Sequence, residues 1–234
     1  MQRIDKIIAS QGEFSRKEVK KLIKLGKVKI DGKIVKNGEE KCDPNTSEIA
    51  LNGKTISFKK HIYLMLNKPK GVVSATKDKK VKTVVDLVPP NLYREGIFPA
   101  GRLDGDTTGF ILLTDDGDFA HDILSPKKHI MKTYIATLTD EISNEDIEHF
   151  KRGVELKDGT LCLEAVLEKL NETTVQVQIH EGKYHQIKRM FAAIGNHVLE
   201  LKRVKMGELG LDLTLAEGEC RELTAEELAL VKFK

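Results

Sequence analysis

The segment Phe98-Pro99-Ala100-Gly101-Arg102-Leu103-Asp104-Gly105-Asp106-Thr107-Thr108-Gly109 is the part of the chain best equipped for chemistry. Glycines and threonines surround two acids, and the apolar run 110–113 follows; this describes a tight polar loop that holds an acid exposed beside a buried strand. A carboxylate so placed can act as a nucleophile or take a proton, and two in one loop also suggest a glycosidase. On spacing alone an acidic surface turn accounts for the loop equally well. We read Asp106 as structural, bonding loop amides together with the threonines. A nucleophilic carboxylate must be ionised, which in water its ordinary pKa of about 3.9 ensures. In a dry pocket desolvation works against the charge, so a cation is needed close by.

The run Glu181-Gly182-Lys183-Tyr184-His185-Gln186-Ile187-Lys188-Arg189-Met190-Phe191 offers such cations on a helix. Tyr184 and Lys188 stand four apart and share one face, and His185 and Arg189 share the next. Ile187, Met190, Phe191 and Ile194 make the apolar stripe that docks the helix, and Lys188 lies off that stripe. The cluster Asp115, Asp116, Asp118, His121 and Asp122 lacks the alternating spacing and distal glutamate of a calcium loop. Asp118 reads better as the cap of a helix, and no metal site is expected. Three widely spaced cysteines exclude a disulfide framework and a CxxC zinc site, and fit a reducing cytosol. No phosphate-binding GxxxxGK[ST] loop appears, no strand–GxGxxG–helix unit, no secretory leader, and no apolar run near the ~18 residues of a membrane span.

The elements that carry these residues read as α+β. An apolar strand at 62–66 leads into the turn Asn67-Lys68-Pro69-Lys70-Gly71, and Pro89-Pro90 marks a loop. Residues 161–167 and 175–179 alternate as half-buried antiparallel strands, and Ser143 caps a helix over Asn144–Arg152.

The chain has 234 residues, enough for one or two domains with a real core. Its net charge of +3 hides a split: residues 1–60 carry 15 Lys and Arg against 8 Asp and Glu, and the remainder carries 24 against 28. A basic quarter on a mildly acidic body is the pattern of a polyanion-binding module attached to something else; a solvated lysine-rich surface is the plainer alternative. Within that quarter a helix is expected over 4–11. A second opens on the capping box Ser15-Arg16-Lys17-Glu18 and closes at Gly26, with Val19, Leu22 and Ile23 on its core face. Arg16, Lys17, Lys20, Lys21 and Lys24 fall within an arc of about 140° on another face. Asp31-Gly32, between Val28-Lys29-Ile30 and Ile34-Val35, signals a hairpin.

Arg3-Ile4-Asp5-Lys6, Ser15-Arg16, Leu22-Ile23-Lys24-Leu25-Gly26-Lys27-Val28 and Asp31-Gly32 together resemble an S4 RNA-binding domain, over residues 1–58 with a linker at 58–61. The resemblance implies that Arg16, Lys17, Lys20, Lys21 and Lys24 meet RNA phosphates, which fix position without reading sequence. Gly101-Arg102-Leu103-Asp104-x-Asp106-Thr107-Thr108-Gly109 resembles the hallmark loop of the pseudouridine synthases, in the RsuA/RluB/RluE/RluF branch, with Phe110 in place of the usual leucine. Lys132-Thr133-Tyr134 resembles that family's Lys-x-Tyr strand motif, and 181–191 its basic helix motif. The Tyr-His-Gln wording, with Ala-Ala-x-Gly-Asn-His-Val at 192–198, is nearest to the RsuA group.

The resemblance implies a synthase domain over 62–234, with a mixed, mainly antiparallel sheet and flanking helices. It implies isomerisation of one uridine to pseudouridine in 16S ribosomal RNA, at uridine 516, as free RNA or in a pre-30S particle. It further implies a cytoplasmic monomer that needs no cofactor and touches no membrane. Asp104 is then the catalytic carboxylate and Lys188 its cation. Tyr134 stacks on the target base, although a strand tyrosine packed in a core is the plainer reading. Arg102 evicts the target nucleotide or holds its phosphate, Ile187 floors the pocket, and Arg189 meets a phosphate or supports the site. Two alternatives remain: the same chemistry on 23S RNA, or a non-catalytic S4-domain factor in ribosome assembly.

Overall fold

Ser15 opens its helix as expected. Its hydroxyl accepts the Glu18 amide at 3.3 Å while the Glu18 carboxylate accepts the Ser15 amide at 2.8 Å, satisfying two otherwise orphaned donors. The helix Arg16–Lys24 ends where Gly26 turns left-handed at φ +68°. There Gly26 N–H donates to Ile23 at 2.9 Å and Lys27 N–H to Leu22 at 3.0 Å, the paired bonds of a Schellman cap. Asp31 and Gly32 both take positive φ, 49° and 77°, and join strands Val28–Ile30 and Lys33–Ile34 in the tight turn that suits strand twist. The hairpin belongs to a four-stranded sheet that continues through Ile49–Leu51 to Lys54–Thr55. A second positive-φ pair, Asn52 and Gly53, makes that last turn. Ile4, Ile7 and Ile8 from the first helix, Ile4–Ala9, pack with Val19, Ile23 and Val28 as the core.

The computed structural model describes residues 1–125 and 128–232. They form two units: 1–62 with 88–97, and 63–87 with the chain from 98 onward. The excursion 88–97, read from sequence only as a loop at Pro89-Pro90, joins the first unit through Arg94. Its buried guanidinium donates to Lys59 O at 2.9 Å and to Gln11 Oε1 at 3.1 Å.

In the second unit the sheet is mixed and mainly antiparallel, and the fold is α+β, as the sequence implies. Its central path runs Val166–Lys169, Thr174–Ile179, Lys132–Leu138, Val198–Met206, Thr108–Thr114, Tyr63–Lys68, Cys220–Glu222. Val198–Met206 and Thr108–Thr114 run parallel, and the other neighbours on this path are antiparallel. At that junction Gly109 faces Arg203 with φ +95°, and a Cβ there would stand 2.2 Å from the Arg203 carbonyl oxygen, so only glycine fits. Residues 110–113 are wholly buried.

Two expectations are corrected. The helix Gly117–Leu124 is capped by Asp116, whose carboxylate accepts the Phe119 amide at 3.0 Å; Asp118 lies inside its first turn. The strand expected at 161–167 is Val166–Lys169. Upstream of it the amides leave the ladder: Cys162 donates to Val154 and Ala165 to Phe150, both at 2.9 Å. That path presses against Gly153, where a Cβ would meet the Cys162 oxygen at 2.5 Å. Ser143 caps Asn144–Arg152 as read.

Candidate active site

The acidic loop is held from below. Lys68 ends the Tyr63–Lys68 strand with its side chain fully buried, and its ammonium donates to the carbonyl oxygens of Pro69 at 3.1 Å, Gly105 at 3.3 Å and Thr107 at 2.8 Å. Gly71 N–H adds a bond to Gly105 O at 2.8 Å. Ser74 Oγ bonds both the amide and the carbonyl of Leu103, each at 2.9 Å. The residues on both sides of Asp104 are therefore pinned to the 68–74 segment, and Asp104 O accepts Thr107 N–H at 3.1 Å within the loop.

The helix Gln186–Ala193 faces that loop. Its start is shaped by Gln186, which is buried; its oxygen accepts Lys183 N–H at 2.9 Å and its amide donates to Glu181 at 2.8 Å. His185 precedes the helix in left-handed conformation, φ 48° and ψ 35°. This sets its Nε2 3.5 Å from one Asp104 oxygen, with its ring stacked 3.8 Å from that of Tyr184. One turn into the helix, Lys188 Nζ lies 3.3 Å from the other Asp104 oxygen and 2.5 Å from Asp106 Oδ1.

Charge and burial oppose each other here. Asp106 accepts the Lys188 hydrogen bond, and this outweighs partial burial to hold its carboxyl below the usual carboxylate range. Asp106 is thus a second anchor for Lys188, and its carboxylate also accepts from its own backbone amide in the loop, as expected. The Thr107 hydroxyl is buried without a hydrogen-bond partner among the described residues, so Thr107 ties the loop through its backbone and not through its side chain. Burial drives the Lys68 ammonium down to about 8, against the opposing pull of Asp106 and Asp104.

Asp104, Lys188, Tyr134, Ile187, Arg102 and Thr107 line a narrow inner cavity of about 70 Å³. It adjoins a wider cleft of about 480 Å³ that shares Arg102, Leu103, Asp104 and His185 and reaches Ser74 and Tyr184. Tyr134 and Ile187 are buried in the wall, and Arg102 is exposed, with no hydrogen bond or ion pair among the described residues. Five of the residues singled out from sequence are therefore brought together. Arg189 is not among the lining residues; its guanidinium pairs with Asp158 at 2.5 Å. In the other unit Lys17, Lys20, Lys21 and Lys24 are exposed along their helix. Arg16 is engaged with the fully buried Asp5, both carboxylate oxygens at 3.2 Å. Burial alone would raise the Asp5 carboxyl, but hydrogen bonds from Arg3 and Arg16 outweigh it and hold it low.

Lys68, Ser74 and the approach of His185 to Asp104 were missed from sequence. Lys68 did leave a signal, since it is a lone cation at the end of an apolar strand and directly precedes a proline turn. Ser74 left none. Among the described residues no group of three or more His, Cys, Asp or Glu side chains is placed to hold a metal ion, and no helix is long and apolar enough to cross a membrane.

Known proteins resemble this chain over nearly its whole length. Residues 62–193 match the model of a family described as RNA pseudouridylate synthase, and residues 2–47 match the S4 domain. The chain is 51% identical over 233 residues, 98% of each protein, to an uncharacterized RNA pseudouridine synthase of Bacillus subtilis (strain 168), YtzG. It is 44% identical over 232 residues to ribosomal small subunit pseudouridine synthase A of Escherichia coli (strain K12), covering 98% of this chain and 99% of that one. A solved structure described as a pseudouridylate synthase superposes with a TM-score of 0.69 at 39% identity, covering 99% of this chain and all of the other.

Proposed function

The chain belongs to the RNA pseudouridylate synthase family, an S4 domain followed by a synthase domain, and from that premise we propose that it isomerises uridine 516 of small-subunit ribosomal RNA with Asp104 as the catalytic carboxylate. The observation that carries the reading is the triple convergence at one cavity of Asp104, the Lys188 ammonium and Tyr134. The small-subunit target is supported by the full-length likeness to the Escherichia coli enzyme that bears that name.

The reaction breaks the N1–C1′ bond of uridine, turns the base over, and rejoins it through C5; the C5 proton leaves to solvent and N1 takes one up, so product and substrate are isomers. No atom is added and no electron is transferred, so the work falls to side chains. Asp104 must be ionised to attack C1′ or C6 or to take a sugar proton, and each route needs a carboxylate held against the nucleoside. Lys188 supplies the nearby cation that favours the ionised form. It is itself held by a second ion pair, to Asp106 at 2.5 Å. Tyr134 offers a ring face to the flipped base; such stacking is worth about 1–3 kcal/mol, enough to help hold a nucleotide out of its helix. Arg102, unengaged at the mouth, is free to take the place the base vacates or to hold a phosphate. The basic helix of the first unit meets RNA phosphates, which fix position without reading sequence.

The test is carbodiimide mapping of pseudouridine in ribosomal RNA from cells lacking this protein. The proposal expects the stop at position 516 of 16S RNA to vanish and to return with the wild-type gene. A stop lost from 23S RNA instead would move the target to the large subunit.

A further inference from the structure

On the other side of Tyr134 the sheet buries two cations that no carboxylate balances. Lys132 and Arg203 stand on paired antiparallel strands, with Arg203 directly opposite Tyr134. They are 8% and 2% exposed. The Lys132 ammonium donates to the carbonyl oxygens of Ile130 and His180, both at 3.1 Å. Arg203 Nε donates to Phe110 O at 2.7 Å, its Nη2 is buried with no hydrogen-bond partner, and its guanidinium carbon lies 6.0 Å from the centre of the Tyr134 ring. Neither forms an ion pair among the described residues. Burial, reinforced by Arg203, pushes the Lys132 ammonium down to about 8. A buried cation without a counter-ion is costly, and two side by side are more so. The fold bears a penalty here that a bound anion would offset.

Room for an anion lies beside them. A cleft of about 310 Å³ is lined by Gly101, Arg102, Lys132, Tyr134, His180 and Arg203, among others. The acid on its wall, Glu181, is already engaged by Lys183, by Gln186 and by the Leu163 amide. Arg102 and Tyr134 line both this cleft and the inner cavity that holds Asp104, so the two spaces are neighbours across the Tyr134 ring. Resting on the reading that a uridine enters the Asp104 cavity, we propose that this cleft is a phosphate subsite for the phosphodiester group next to that uridine. Arg102 and the remaining Lys132 N–H are its donors, and Arg203 is a fixed positive charge beneath it. A phosphate suits the site because it is small, anionic and covalently one ribose away from the base.

Equilibrium binding of uridine, uridine 3′-monophosphate and uridine 5′-monophosphate to the full chain tests this. One of the two nucleotides is expected to bind about tenfold or more tighter than uridine, as a charge-assisted contact provides. That advantage, taken relative to uridine on the same variant, should shrink to within about threefold in Lys132→Met and in Arg102→Met. Arg102 is exposed, so its variant decides the matter if the buried Lys132→Met fails to fold. Equal binding of nucleoside and both nucleotides overturns the subsite, as does an advantage that survives both substitutions. Failure of all three ligands to bind would instead count against uridine entering the cavity, and would take the subsite with it.

Discussion

The Lys68 ammonium lies wholly buried and donates to the Thr107 carbonyl oxygen at 2.8 Å, and through that bond and its bond to Gly105 it holds the loop on which Asp104 stands. Lys68 does not line the cavity that holds Asp104, so it acts by positioning. Small misplacements of a reacting group cost about 100-fold in rate. Lys68→Met should therefore lower kcat by about that factor while leaving KM for RNA within about threefold. Steady-state tritium release from 5-tritiated uridine RNA measures both. A rise in KM at unchanged kcat would place Lys68 in binding instead.

The same burial gives stability a pH signature. Lys68 releases its proton near 8 in the folded chain and near about 10.4 when unfolded. Below pH 8 both states are protonated and no slope arises. Between pH 8 and about 10.4 the unfolded chain holds a proton that the folded chain has lost, so stability gains with rising pH across that window. Lys132, also near 8, contributes in the same direction. Denaturant midpoints measured from pH 7 to pH 10 should rise more steeply above pH 8 in wild type than in Lys68→Met, which retains only the Lys132 share. Parallel curves would mean that the Lys68 proton is not lost in the folded chain.

Lys17, Lys20, Lys21 and Lys24 are exposed along one helix, whereas Arg16 is tied to Asp5. If these four lysines meet four phosphates of single-stranded or loop RNA, log K should fall with log salt at a slope near −3. Replacing all four with glutamine should flatten that slope toward what phosphate contacts elsewhere on the chain leave. An unchanged slope would mark the face as merely solvated.

What the sequence could and could not reveal follows from the range of the interactions. Ser15 with Glu18, Gly26, and Asp31 with Gly32 act within a few residues, and their helix and hairpin appear where local pattern puts them. Asn52 and Gly53 carry the same local hairpin signal and were overlooked. The Asp104 loop and the Lys188 helix were legible because each motif is contiguous. Their meeting is a long-range fact, carried by Lys188 reaching across 84 positions of sequence. Ser74 against Leu103 and Lys68 against Thr107 are likewise long-range, and nothing near Ser74 in sequence marks it. The Asp118 cap was misplaced because two acids two residues apart compete for one role, and only the backbone of Asp116 leaves the helix there. Residues 161–165 alternate like a strand, yet their amides go to Phe150 in the last turn of a helix, to Val154 just beyond it and to the Glu181 side chain, which period alone does not show.

The central claim is that the Asp104 carboxylate does the chemistry, and Asp104→Asn tests it most directly because the amide keeps shape and removes charge. Tritium release from 5-tritiated uridine RNA should fall below detection, while RNA binding by filter retention stays within about threefold of wild type. Release at a rate near that of wild type, with the variant folded and RNA bound, would contradict the account.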